Sequence, residues 1–282
     1  MILVTGATGN IGREVVAGLH LNGQAIRAAA YDDADAKRVP AGVPTAIFDF
    51  ADPKTYGPAL DGVDRVFLMR PPQITDMEST LNPFADYAKS VGVKQIVFVS
   101  LLGVEDNPRV PHYAAEQHLK TLGVPYTFLR PSFFMQNLNT THRREIQERD
   151  EIYLPVGKAR TSFIDTRDIG AVAAIVLSQA GHEDVAYSLT GGEALDYYQV
   201  ADIFSEVLGR TITYKDPSSL AFLFATVRHG TPLKFALVMS MLYRTTKKGI
   251  ADVITDDVSR LLGRPPGTFR QYVIDYAESW KR

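Results

Sequence analysis

Cysteine is absent from the 282 residues. That excludes disulfides, thiolate metal sites and thiol nucleophiles, so any chemistry must come from oxygen and nitrogen groups. A dominant charge of one sign is also missing: 30 lysines and arginines face 32 aspartates and glutamates, a formal net charge of −2. Duplex binding ordinarily needs a basic surface that displaces counterions, so no nucleic-acid partner is expected. Long apolar runs are lacking too. The most apolar late stretches, 217–227 and 235–243, are interrupted by Arg228 and Lys234 and fall short of the roughly 20 apolar residues that a span requires. No membrane partner is expected. No His, Asp and Glu spacing suits a metal, so none is expected. The chain enters an apolar stretch with no basic segment before it, which predicts no signal peptide and a cytoplasmic location by default.

What is present suits a folded α/β protein. At 45% hydrophobic and 22% charged residues, the chain can build one substantial α/β domain plus a smaller appendage. Apolar, β-rich runs recur at 2–5, 24–30, 45–50, 65–69, 95–100 and 126–129, with helical patterns between several of them. This alternation predicts a doubly wound parallel sheet, the Rossmann arrangement. One helix is readable from Leu81, Phe84, Ala85, Ala88 and Val91, closed by Gly92. In such sheets ligands bind beyond the carboxyl ends of the strands. Functional residues are therefore expected at 6–12, 31–33, 49, 69–72, 100–103 and 130–134.

From about residue 185 the alternation weakens. Asp196 reads as the N-cap of a helix with Val200, Ile203, Phe204, Val207 and Leu208 on one face, closed by Gly209. Thr255 and Thr268 read as caps of two later helices. The expected division is 1–184 for the dinucleotide-binding domain and 185–282 for a small, mainly helical substrate lobe packed over the sheet's carboxyl edge.

The first run leads into Gly6, Gly9 and Gly12, interleaved with Thr8, Asn10 and Ile11, and then into a helix bearing Val15, Val16 and Leu19 on one face. Backbone N–H groups can approach a pyrophosphate only where no Cβ intervenes, and the unpaired amides of a helix start carry partial positive charge. These residues predict a dinucleotide site. Asp32 follows the second strand, beside Tyr31, where a carboxylate can accept from both hydroxyls of an adenine ribose; this favours NAD over NADP. Among nearby cations, Arg27 lies inside the strand, and Lys37 and Arg38 come a few residues late to meet a 2′-phosphate. Asp49 suits either the adenine amino group or a turn. Met69 and Arg70 follow the fourth strand on the cofactor side.

Candidate catalytic groups follow the fifth strand. Ser100 ends it, His112 and Tyr113 come later, and Gln117 lies one helical turn beyond Tyr113. In carbonyl reduction a phenol donates a proton, a serine hydrogen-bonds the oxygen, and a lysine four residues after the tyrosine lowers the phenol pKa. Gln117 cannot do that. His112 and His118 titrate near neutrality in their ordinary state, and His112 adjoins Tyr113. After the sixth strand, Pro131 and Phe133 are expected at the cofactor, with Phe133, Phe134 and Asn137 at the substrate and Met135 completing an apolar wall. The segment 161–169 reads as a strand entering a helix, with Asp165 or Asp168 as its cap.

Together, Thr5-Gly6-Ala7-Thr8-Gly9-Asn10-Ile11-Gly12, Val99-Ser100-Leu101-Leu102-Gly103, His112-Tyr113, residues 128–138 and residues 163–169 resemble the NmrA-like branch of the atypical short-chain dehydrogenase/reductases. The resemblance extends over essentially the whole chain. It implies a Rossmann domain holding NAD or NADP and a small C-terminal substrate lobe. Members of that branch include quinone and other small-electrophile reductases, tailoring enzymes of aromatic secondary metabolites, and regulators that bind the dinucleotide without turning it over. Gln117 departs from the Tyr-x-x-x-Lys element of the wider superfamily, and Tyr31-Asp32 replaces an Arg-bearing bend. The leading expectation is an oxidoreductase that uses NAD, or else NADP, to reduce a quinone or other flat aromatic acceptor, with a homodimer as the candidate assembly. The alternatives are a non-catalytic redox sensor and an enzyme promoting oxygenation of an aromatic metabolite.

Overall fold

Short apolar strands alternate with helices through the first 131 residues, as the spacing of the hydrophobic runs requires. The computed structural model describes residues 1–71, 74 and 76–282, so Pro72, the last of the expected positions at 69–72, lies outside the described residues. In chain order the elements are β1 (Ile2–Val4), α1 (Gly12–Leu21), β2 (Ile26–Ala30), α2 (Asp33–Ala36), β3 (Thr45–Ile47), α3 (Tyr56–Leu60), β4 (Arg65–Leu68), α4 (Leu81–Ser90), β5 (Gln95–Val99), α5 (Pro111–Leu122) and β6 (Tyr126–Pro131). They continue with α6 (Arg143–Arg149), β7 (Glu151–Tyr153), α7 (Thr166–Ser178), β8 (Val185–Leu189), α8 (Tyr197–Leu208), β9 (Thr213–Lys215), α9 (Ser219–Arg228), α10 (Leu233–Thr246), α11 (Asp257–Leu262) and α12 (Phe269–Asp275).

Contacts divide the chain into two compact units with interleaved segments. The first comprises Met1–Pro131, Thr166–Leu189 and Arg260–Gly263; the second comprises Ser132–Asp165, Thr190–Ser259 and Arg264–Arg282. Relative to the expected boundary at 184/185, residues 132–165 fall in the second unit, and 185–189 and 260–263 in the first.

The first unit holds a seven-stranded sheet in the order β3-β2-β1-β4-β5-β6-β8, with every neighbouring pair parallel. β1 and β5 are buried along their whole length, as strands covered on both faces should be. The register sets Val4 beside Ala28 and Phe67, and Phe67 beside Val97. The carboxyl ends of β2, β1, β4 and β5 therefore lie side by side. β3 ends before Phe50 because Asp49 turns the chain: its Oδ1 accepts from the Ala51 N–H at 2.9 Å. β8 escaped the sequence reading; its five residues alternate in exposure rather than forming a continuous apolar run. Glycine allows α7 to cross close to α1, since a Cβ on Gly170 would lie 2.5 Å from the Glu14 Cβ.

The second unit has its own core of Phe163, Phe204, Phe269, Tyr272 and Trp280 and a parallel β7–β9 pair. Asp196 caps α8 through a reciprocal box with Gln199, and Thr268 caps α12, each as its sequence position predicts. The strand expected at 161–165 is reduced to isolated bridges at Thr161 and Ile164, because the Ser162 N–H instead pairs with the Ala251 carbonyl. Among the described residues, no helix is long and apolar enough to cross a membrane and no cluster of His, Asp and Glu could hold a metal.

Candidate active site

The glycine loop is built by packing a carbonyl where side chains would otherwise stand. Gly6 takes a left-handed conformation at φ +62°, a turn that L side chains adopt only with strain. Its carbonyl accepts from the Gly9 N–H at 3.0 Å and lies 2.0 Å from where a Cβ of Gly12 would be. Helical bonding then begins with Arg13 N–H to the Gly9 carbonyl and Val15 N–H to the Ile11 carbonyl. The amides of Thr8, Asn10, Ile11 and Gly12 take no part in these bonds, which is the donor set a pyrophosphate requires. Thr5 fixes the loop to the sheet: its hydroxyl donates to the Phe67 carbonyl at 3.0 Å and accepts from the Met69 N–H at 2.8 Å.

At the bend after β2 two carboxylates take different partners. Asp32 Oδ1 accepts from the Asp35 N–H at 2.8 Å, capping α2. Asp35, which the sequence reading passed over, is the carboxylate joined to the glycine loop: Oδ1 accepts from the Thr8 hydroxyl at 2.7 Å and Oδ2 from the Tyr31 N–H at 3.2 Å. Its signal was the Asp-x-x-Asp spacing from Asp32, a helix-start pattern. Arg38 reaches the same place, donating to Asp35 Oδ1 at 3.0 Å and to the Thr8 carbonyl at 3.2 Å. Arg27 turns elsewhere, to the carbonyls of Pro58, Ala59 and Asp61 at the end of α3. The Tyr31 ring is exposed, and Asp49 Oδ1 serves the turn already described.

Beyond β4 and β5 a second group of predicted residues comes together. Met69 lies against Gly6, 3.6 Å from where a Cβ would stand. Arg70 donates to the Pro71 and Ile74 carbonyls and its Nη2 lies 3.4 Å from His112 Nε2. Desolvation, with the Arg70 charge adding to it, pushes the His112 pKa down to about 3, so the imidazole is neutral at physiological pH. Desolvation disfavours the charged form of a buried imidazole. His112 Nδ1 and the Ser100 hydroxyl are both buried without a hydrogen-bond partner among the described residues. Tyr113, half-buried in the first turn of α5, follows His112, while Gln117 is exposed. His118 pairs with Asp86 at 2.9 Å.

Beneath these residues lies an ion pair that the sequence reading missed. Glu116, 1% exposed, accepts from Arg130 Nε at 3.0 Å and Nη2 at 2.7 Å, while Arg130 Nη1 reaches Glu105 at 3.1 Å. The glutamates raise the guanidinium pKa against the opposing effect of burial. This bidentate pair ties α5 to β6 and so holds the helix that carries His112 and Tyr113.

Pro131 is buried and ends the first segment of the first unit, whereas Phe133, Phe134 and Asn137 belong to the second unit. There Phe133 packs edge-on to Phe163 with ring centroids 5.8 Å apart, Phe134 bridges to Ile164, and Asn137 lies in a single 3-10 turn. Asp165, one of the two expected caps, accepts from the Gln136 amide at 2.8 Å.

The residues present fit a dinucleotide. The Gly6–Gly12 approach leaves no room for a Cβ, and Thr8 of the loop meets a carboxylate and a guanidinium, those of Asp35 and Arg38. Comparison with known proteins agrees with this geometry. The profile of the NmrA-like family matches residues 1–271. The chain is 36% identical over 287 residues to an NAD(P)H azoreductase of Xenophilus azovorans, covering 99% of each. It is 30% identical to the prestalk A differentiation protein A of Dictyostelium discoideum, over 96% of this chain and 90% of that one. Among solved structures, an NADPH-dependent quinone oxidoreductase from Escherichia coli complexed with NADPH superposes with a TM-score of 0.89 at 27% identity, covering 98% of this chain and 100% of that one.

Proposed function

The chain belongs to the NmrA-like family, and on that premise we propose that it is an NAD(P)H-dependent reductase passing hydride to a flat conjugated acceptor of the quinone or azo type. The observation that carries this reading is the buried Ser100 hydroxyl, unpartnered among the described residues, at the strand end beside the β1–β4 edge that holds the glycine loop. A bound reduced nicotinamide supplies the hydride. Gly6, Gly9, Gly12 and the α1 start would bind the pyrophosphate, and Asp35 with Arg38 would flank the adenine ribose, accepting either NAD or NADP.

Ser100 and Tyr113 would then donate hydrogen bonds to the acceptor heteroatom that gains charge. No lysine stands at position 117 to sharpen the phenol as an acid. A conjugated acceptor needs none, because its reduced anion is delocalised and a hydrogen-bond donor suffices. His112, held neutral beside Arg70, would orient rather than shuttle protons. The azoreductase and quinone oxidoreductase relatives support an aromatic acceptor for this chain.

The test mixes protein with NADH or NADPH and a panel of quinones and azo dyes, following nicotinamide absorbance. Oxidation at steady turnover is expected. Tight nucleotide binding with no oxidation by any acceptor would replace this reading with a dinucleotide-binding regulator.

A further inference from the structure

Residues 217–251 contain no aspartate or glutamate but carry Arg228, Lys234, Arg244, Lys247 and Lys248. A run of one sign stands out in a chain whose acids outnumber its bases. It folds as α9 and α10, two helices whose inner faces enter the second unit's core. Phe222 of α9 meets Tyr243 of α10 with ring centroids 5.3 Å apart, and Ala236 and Met239 are buried alongside.

The outer faces are apolar as well. On α9, Leu220 (80% exposed), Phe224 (69%) and Val227 recur at i, i+4 and i+7; on α10, Leu233, Leu237 (49%) and Met241 (47%) recur at i, i+4 and i+8. Each set forms one helical row. Arg244 prolongs the α10 row, Lys248 follows the helix, and Arg228 ends α9; all three are exposed. Exposed apolar rows of this kind suit an interaction surface.

We propose that the α9–α10 pair is a docking surface for an anionic phospholipid bilayer. The arrangement of charge selects this occupant: Arg228, Arg244 and Lys248 lie exposed at the ends of the apolar rows, and residues 217–251 hold no acid. Apolar side chains would enter the acyl boundary while arginine and lysine reach the headgroup phosphates. Neither helix is long enough to span, so both would lie in the interface. The expectation of no membrane partner rested on span length, which does not constrain a surface-lying helix pair. The inference stands independently of the acceptor's identity.

The test is co-sedimentation of the full-length protein with vesicles of phosphatidylcholine alone and of equal parts phosphatidylcholine and phosphatidylglycerol. Binding to the mixed vesicles, weakened by salt, is expected. Joint Arg244→Ser and Lys248→Ser substitution should weaken it on the order of twentyfold, at roughly fivefold per cation. Joint Phe224→Ser and Leu237→Ser substitution should also abolish sedimentation, with melting curves confirming that these exposed changes leave the fold intact. The wild-type protein tests the claim without any variant: absence of binding to the mixed vesicles overturns it. So does binding that ignores the apolar substitutions. Concentration-dependent dimerisation that Leu237→Ser abolishes would assign the face to a second copy of the chain and overturn the lipid reading too.

Discussion

Thr8 and Asp35, 27 residues apart, are joined by a 2.7 Å hydrogen bond, and the oxygen that accepts it also accepts from Arg38. A carboxylate and a guanidinium thus share the outer edge of the glycine loop. For an adenine ribose the two act in opposite directions on a 2′-phosphate: Arg38 attracts it and Asp35 repels it.

Cofactor choice should follow these two side chains. Arg38→Ala is expected to weaken NADPH binding about tenfold while leaving NADH nearly unchanged, the lower end of the scale for charge-assisted hydrogen bonds because the site is exposed. Asp35→Asn should shift the ratio the other way. Asp32→Ala should instead cost about 1 kcal/mol of stability as a lost helix cap, with less effect on the ratio. Calorimetry with both nucleotides, and melting curves, separate the three. If Asp32→Ala moves the ratio more than Asp35→Asn does, the original assignment of the ribose to Asp32 stands.

Two glycines of the loop should respond differently to alanine. At Gly12 the new Cβ would meet the Gly6 carbonyl at 2.0 Å, so the loop must open; loss of measurable dinucleotide binding and about 1–3 kcal/mol of stability are expected. At Gly6 the space is adequate, 3.6 Å to Met69, and only the left-handed backbone resists, costing about 1–2 kcal/mol. Equal binding losses in the two variants would show that the loop senses backbone strain rather than the close approach.

Much of the molecule was legible in the sequence, for physical reasons that also mark where legibility ends. β1, β2, β4, β5 and β6 announce themselves because strands buried on both faces are largely apolar, and the glycine triplet because the phosphate approach leaves no choice of residue. β8 did not, since a half-exposed edge strand carries no such run. The Asp-x-x-Asp spacing marks Asp35 only as part of a helix start; its tie to the glycine loop arises from a hydrogen bond to Thr8, which spacing does not show. Glu116 carries no signal along the chain, because its role comes from Arg130 on β6. The desolvation that lowers the His112 pKa is a property of the fold and has no counterpart in the sequence.

The neutral state of His112 has a signature in stability. Its folded pKa, about 3, lies below the ordinary 6.5, so the unfolded chain binds the extra proton more readily. Stability is therefore fully present above pH 6.5 and is lost progressively as the pH falls toward 3. His142, buried with its pKa also lowered, contributes in the same direction. His112→Gln should melt with a shallower decline between pH 6.5 and 4 than the wild type. Identical slopes would mean that His112 is protonated in the folded protein.

The Glu116–Arg130 pair should be costly to halve. Replacing Glu116 by glutamine leaves a nearly buried guanidinium with only Glu105 for charge compensation, and a loss of about 3 kcal/mol is expected in chemical denaturation. Because the pair positions α5, turnover should fall as well, while nucleotide affinity at the glycine loop is retained. A melting profile like that of the wild type would show that solvent already screens Arg130.

Ser100 offers the clearest separation of function from structure. Its hydroxyl is buried with no partner among the described residues, so Ser100→Ala removes an unsatisfied group and should leave stability unchanged or slightly higher. If the hydroxyl serves the reacting acceptor, kcat should nevertheless fall roughly a hundredfold, the scale of one donor lost from an oxyanion site. Tyr113→Phe should likewise slow turnover at unchanged nucleotide affinity. A stable Ser100→Ala enzyme with wild-type kcat would remove Ser100 from the mechanism, and the same result for Tyr113→Phe would move the chemistry away from the start of α5 altogether.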